Sequence, residues 1–120
     1  MQERVVPIIK IYDCLVVPIQ IELDDTTVEK IQKQILSEIE NNDVKGVIID
    51  VSMVDIIDSY ISYTLSETAT MARMMGCYTV LCGIQPQVAL TLAQMGVNIK
   101  GIYYAMNLEN ALEILAGIEE

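Results

Sequence analysis

At 120 residues, about half of them apolar (52%), the chain has the length of one domain able to bury roughly two thirds of its unfolded surface. Seventeen Asp and Glu against seven Lys and Arg give a formal charge of −10, which repels nucleic-acid phosphates and anionic membranes. The absence of histidine removes Ser/His/Asp triads, Cys/His dyads, histidine phosphorelays and the usual zinc hydrolase ligand sets.

The chain opens with β-branched runs, VVPIIKIY and CLVVPIQI, separated only by Asp13. That spacing predicts an antiparallel hairpin or two closely joined strands. DDTTVEKIQKQILSEIENND then places Val28, Ile31, Ile35 and Ile39 at helical spacing behind Asp or Thr caps. VKGVIIDV has the near-continuous apolar character of a central strand buried on both faces, and it ends at Asp50.

After the loop SMVDII, a second helix is predicted from Asp58 or Ser59 to Met75, with Ile61, Leu65, Ala69, Ala72 and Met75 inward and Gly76 as a left-handed cap. CYTVLCG repeats the buried-strand pattern. Pro86 and Gly96 bracket a third helix in IQPQVALTLAQMG, NIKGIYY makes a short strand, and NLENALEILAGIEE closes the chain as a helix capped by Asn107. The order β-β-α-β-α-β-α-β-α predicts an α/β fold with a mostly parallel sheet, an initial antiparallel strand pair and about four covering helices.

Cys14, Cys77 and Cys82 sit in apolar runs without the paired spacing of a zinc site, so they are expected as buried thiols. Met71, Met74 and Met75 are expected to fill core rather than form a binding stripe. No Walker or dinucleotide glycine pattern is present, and no stretch approaches the ~20 uncharged apolar residues of a membrane span. The expectation is a cytoplasmic, non-enzymatic protein without cofactor or metal, one domain over residues 1–120.

The stretch MVDIIDSYISYTL carries the chemistry of interest. Ser59 and Asp58 stand where a helix begins, and either residue type satisfies orphan N–H groups as a cap. A hydroxyl in that first turn also lies near the positive end of the helix dipole, where a phosphate is tolerated. Tyr60 and Tyr63 read equally as partner contacts or as half-buried amphipathic residues. Hydroxyls from Ser62 onward are expected inside the helix, and Glu38, Glu40 and Asp43 as a solvated face.

The element order, the Asp58-Ser59 pair after the central strand, and TVLCGIQPQVALTLAQMGVNI followed by NLENALEIL together resemble the STAS domain of bacterial anti-sigma-factor antagonists. GIQPQVALTLAQMGV resembles in particular the stressosome branch of that family. The motif departs from many antagonists in having Tyr60 and Ile61 after Ser59, where small residues are usual.

The resemblance implies a chain that captures a serine kinase of the RsbT type and releases it when phosphorylated on Ser59. It further implies homologous STAS scaffolds of the RsbR type, a resetting phosphatase of the RsbX type, and self-association or a large hetero-assembly. Asp55, Asp58, Ser59, Tyr60 and Tyr63 would form the partner surface. If a docked partner held one acid about 6 Å from the phosphate, at an effective dielectric of about 20, each added charge would cost roughly 3 kcal/mol, about a hundredfold in affinity.

Two alternatives stay open at this stage. One is a STAS module that binds a small ligand or nucleotide. The other is an aspartyl-phosphate receiver holding Mg²⁺ on Asp50, Asp55 and Asp58, which would also need a lysine at the end of a later strand, whereas Lys100 falls near the start of its strand.

Overall fold

The computed structural model describes residues 4–94 and 101–118. β1 (Ile9–Ile11) pairs antiparallel with β2 (Cys14–Pro18) across the two-residue turn Tyr12-Asp13, where Tyr12 takes φ +54°. The first strand is shorter than its apolar run predicts. Pro7 has no N–H for a ladder, and the N–H groups of Val5 and Val6 donate instead to Oε1 of Gln34, at 2.9 and 3.2 Å.

Gln34 belongs to α1 (Asp25–Asn41), whose N-cap Asp24 accepts from the N–H of Thr27 at 2.8 Å. Val28, Ile31, Ile35 and Ile39 are buried as their spacing predicts, each contributing about 1.5–3 kcal/mol of transfer free energy. β3 (Gly46–Asp50) runs through the middle of the sheet with Val47, Ile48 and Ile49 fully buried.

α2 (Ser59–Met74) turns Ile61, Leu65, Ala69 and Ala72 into the core. Met75 departs from the predicted seam. The helix stops at Met74, Met75 becomes the C-cap with ψ 7°, and the side chain is left 43% exposed before Gly76 at φ +93°. Met74 is 81% exposed, so these two methionines are not the core filler their neighbourhood suggested.

β4 (Tyr78–Cys82) and α3 (Pro86–Gln94) follow, with Pro86 opening the helix as expected. The predicted stop at Gly96, the start of the last strand and Lys100 lie outside the described residues. The strand itself, β5, is Ile102–Ala105. α4 (Leu108–Ala116) starts at Asn107, whose side chain accepts from the N–H of Asn110 at 2.8 Å.

The five strands lie in chain order, β1-β2-β3-β4-β5, parallel from β2 onward. Leu15, Val17, Val47, Ile49 and Leu81 point to one face and pack with the apolar stripes of α1, α2 and α3. Val16, Ile48, Val80 and Cys82 point to the other, where α4 covers them through Ala111 and its neighbours. Gly46 lets α4 sit close, since a Cβ there would fall 2.6 Å from Cδ1 of Leu115.

All three cysteines are buried free thiols. Cys77 precedes β4 rather than lying within it, and its Sγ donates to the Val44 carbonyl at 3.2 Å. Burial pushes the Cys14 and Cys82 thiols up to about 11.

Candidate functional site

The site is built where β3 ends. The carboxylate of Asp50 accepts from the N–H of Ser52 at 2.9 Å, the Ser52 carbonyl accepts from Nε2 of Gln85 at 2.8 Å, and the Val51 N–H donates to the Cys82 carbonyl at 3.0 Å. Gly83 makes room for this turn. It sits at φ +77°, and a Cβ on it would lie 2.9 Å from Cβ of Ser52. Val54 and Ile57 are buried, so the loop from 51 to 58 is pinned at both ends while Asp55, Asp58 and Ser59 face solvent.

Asp58, not Ser59, is the helix cap. Its backbone is extended, its Oδ1 accepts from the N–H of Ile61 at 2.9 Å, and its carbonyl accepts from the N–H of Ser62 at 3.0 Å. Ser59 is therefore the first helical residue, with its hydroxyl in the turn where backbone N–H groups have no helical partner.

Four other hydroxyls of α2 are differently placed. Ser62, Thr64 and Thr68 are buried, and they donate to the carbonyls of Asp58, Tyr60 and Thr64 at 2.9, 3.0 and 2.7 Å. Thr70, within the helix as expected, is exposed, and its hydroxyl is also turned back, to the Ser66 carbonyl at 3.0 Å. Such back-bonded hydroxyls are held against the helix rather than offered to a partner.

Tyr60 is partly exposed, and its phenol donates to the carboxylate of Glu29 on α1. That hydrogen bond raises the phenol above its ordinary range. Tyr63 lies one turn along and is exposed. The structure thus brings Asp55, Asp58, Ser59, Tyr60 and Tyr63 onto the surface around the start of α2.

Two features of the site have no simple sequence signal. Gln32 of α1 reaches across to Oγ1 of Thr68 at 2.9 Å and Oε1 of Glu67 at 3.0 Å, stapling α1 to α2. Gln85 supports the loop from after β4. Gly83, directly following a buried strand, is the one visible hint that a close backbone approach occurs there.

The acids do not assemble into a cation site. Among the described residues no three of His, Cys, Asp and Glu converge on a point that could hold a metal, so the receiver reading with Asp50, Asp55 and Asp58 is set aside. Two grooves of about 600 and 630 Å³ lie away from Ser59. One is lined by α4, the hairpin turn Tyr12-Asp13 and Lys45 before β3, the other lies beside Arg73, Tyr78 and Tyr103. Among the described residues no helix is long and apolar enough to cross a membrane.

Comparison with known proteins agrees with this architecture. A serine-to-glutamate variant of RsbS from Moorella thermoacetica superposes with a TM-score of 0.78 at 36% identity, covering 92% of this chain and 94% of that one. A chain of the solved stressosome, described as a signal integration and transduction hub, gives 0.71 at 32% identity, covering 92% and 96%. The RsbT co-antagonist protein RsbRA of Bacillus subtilis (strain 168) is 21% identical over 114 residues, 94% of this chain, and the chain spans 42% of that relative's length. The STAS domain family matches residues 6–111, and the chain belongs to that family, with stressosome proteins among its relatives.

Proposed function

We propose that the chain is a non-enzymatic, cytoplasmic component of a stressosome-type assembly, resembling RsbS, that holds a serine kinase and releases it when Ser59 is phosphorylated. The observation that carries this reading is the contrast among the hydroxyls of α2. Ser59 is exposed at the first helical position, whereas Ser62, Thr64, Thr68 and Thr70 are back-bonded and the first three of these are buried.

The chemistry of a switch follows from the setting. A phosphate on Ser59 adds nearly two negative charges beside the carboxylates of Asp58 and Asp55, on a chain already at −10. The Asp58 side chain already occupies the N–H of Ile61, so the phosphate competes for the same helix end and remains largely directed outward. A partner bound over Asp55, Asp58, Ser59, Tyr60 and Tyr63 meets that charge directly.

The relatives support the choice of partners. RsbRA is named as an RsbT co-antagonist, and a related chain occurs within the solved stressosome. The serine kinase is accordingly of the RsbT type, the scaffold of the RsbR type, and a phosphatase of the RsbX type resets the switch.

The test is to incubate the chain with a serine kinase of the RsbT type and ATP, map phosphate by peptide mass spectrometry, and measure kinase binding by wild type, Ser59→Ala and Ser59→Asp. Phosphate on Ser59, with binding kept by Ala and lost by Asp, is the expected result. Equal binding by all three would refute the switch.

A further inference from the structure

We infer that Met53 and Ile56 form the apolar centre of the surface that the kinase covers, with Asp55 and Asp58 at its polar rim. The inference rests on the kinase-binding reading of Ser59 and adds which side chains hold the kinase.

The loop between β3 and α2 buries every third residue, Val51, Val54 and Ile57, and leaves those between exposed. Val54 and Ile57 are 4% and 2% exposed, while Met53 and Ile56 are 67% and 72% exposed. The loop is held in that arrangement from several sides. Val54 donates its N–H to the Val51 carbonyl at 3.0 Å, and the Asp50 carboxylate, Gln85 and Gly83 fix Ser52.

Two large apolar side chains are therefore presented to solvent on a backbone that is already ordered. Anchors of this kind bind well because little backbone entropy remains to be lost when a partner covers them.

The occupant follows from distance. Ile56 is three residues before Ser59, so their Cα atoms are at most about 11 Å apart. A kinase that brings a phosphoryl donor to Ser59 Oγ must cover that neighbourhood, and Tyr60 and Tyr63 continue the same surface along α2. Met74, also exposed, lies at the other end of a helix of 16 residues, about 24 Å long, and falls outside such a footprint.

A centre of this composition also defines the effect of the modification. Phosphate on Ser59 must be stripped of water beside an apolar contact, which disrupts the interface without requiring an opposing acid on the kinase.

The experiment measures the Kd of the unphosphorylated chain for the kinase by calorimetry, for wild type, Met53→Ser, Ile56→Ser, the double variant and Met74→Ser, at about 50 and 500 mM salt. Circular dichroism checks each fold. Met53→Ser and Ile56→Ser each raise Kd about tenfold or more, Met74→Ser stays within about twofold, and wild-type affinity falls less than about threefold at high salt.

Unchanged Kd in the double variant overturns the inference, as does a wild-type affinity that falls more than tenfold with salt. So does a double variant that keeps kinase affinity but loses self-association or scaffold binding, since those partners would then own the patch. Absence of any kinase binding by wild type would instead overturn the functional reading beneath it.

Discussion

Gly83 offers a direct measure of how tightly the loop before Ser59 is built. Replacing it by alanine places a Cβ at φ +77°, 2.9 Å from Ser52 Cβ and 3.3 Å from both Ser52 Cα and Oδ1 of Asp50. Left-handed backbone costs a side chain about 1–2 kcal/mol, and reduced freedom of the unfolded chain returns about 0.4–1 kcal/mol. The clash adds about 1–3 kcal/mol because backbone, not a flexible tip, must move.

Gly76 is the matched control. It has φ +93° with nothing within 4 Å of the added Cβ, so only the conformational part applies. At about 4 °C per kcal/mol for a chain of this size, Gly76→Ala lowers Tm by up to about 6 °C and Gly83→Ala by about 4–12 °C more. Calorimetric melting of the two variants beside wild type reads the difference. Equal Tm values within about 2 °C would refute the claim that Ser52 is packed against Gly83.

Asp58→Ala removes the cap of α2 and costs about 1 kcal/mol, whereas Asp58→Ser keeps an oxygen for the Ile61 N–H and costs a few tenths, measurable by urea unfolding at neutral pH. The thiols of Cys14 and Cys82, raised from 9.0 to about 11 by burial, stabilise the folded chain fully below about pH 9, where both states keep the proton. Unfolded thiols ionise first as pH rises, so that contribution is lost between about pH 9 and 11. The urea midpoint of a Cys14→Ala/Cys82→Ala variant, compared with wild type across that interval, should show the weaker pH dependence.

Much of the fold was legible because each element announced its period. The Val28, Ile31, Ile35, Ile39 stripe and the continuous run of β3 both depend on local spacing, and both place those residues in the core. The antiparallel start was legible because only two residues separate β1 from β2. The truncated first strand was not, because Gln34 lies 28 residues from the Val6 N–H it accepts, and a buried glutamine in a helical stripe looks like an interruption.

Legibility of the site divides along the same line. Ser59 and Asp58 could be placed at a helix start from residue type, yet which of them caps is decided by geometry, Asp58 bonding Ile61. The exposed pair Met53 and Ile56 gave no signal, since apolar residues interleaved with Val54 and Ile57 read as one apolar loop until burial separates them. Met75 misled because helical phase ends with the helix, and Met74 because its phase, two residues past Ala72, turns it to the outer face of α2.

The chain order of the strands has a consequence for what kind of partner this shape suits. Open α/β sheets form their ligand crevice where successive crossovers leave in opposite directions and the helices on either side part. Here every parallel crossover steps the same way, from β2 to β3 to β4 to β5, and α1, α2 and α3 all come down on one face. The carboxyl ends of the strands consequently meet no topological switch point. Between β3 and α2 the molecule carries a loop whose Val54 and Ile57 are buried and whose Met53 and Ile56 stand out, a shape that suits meeting another surface.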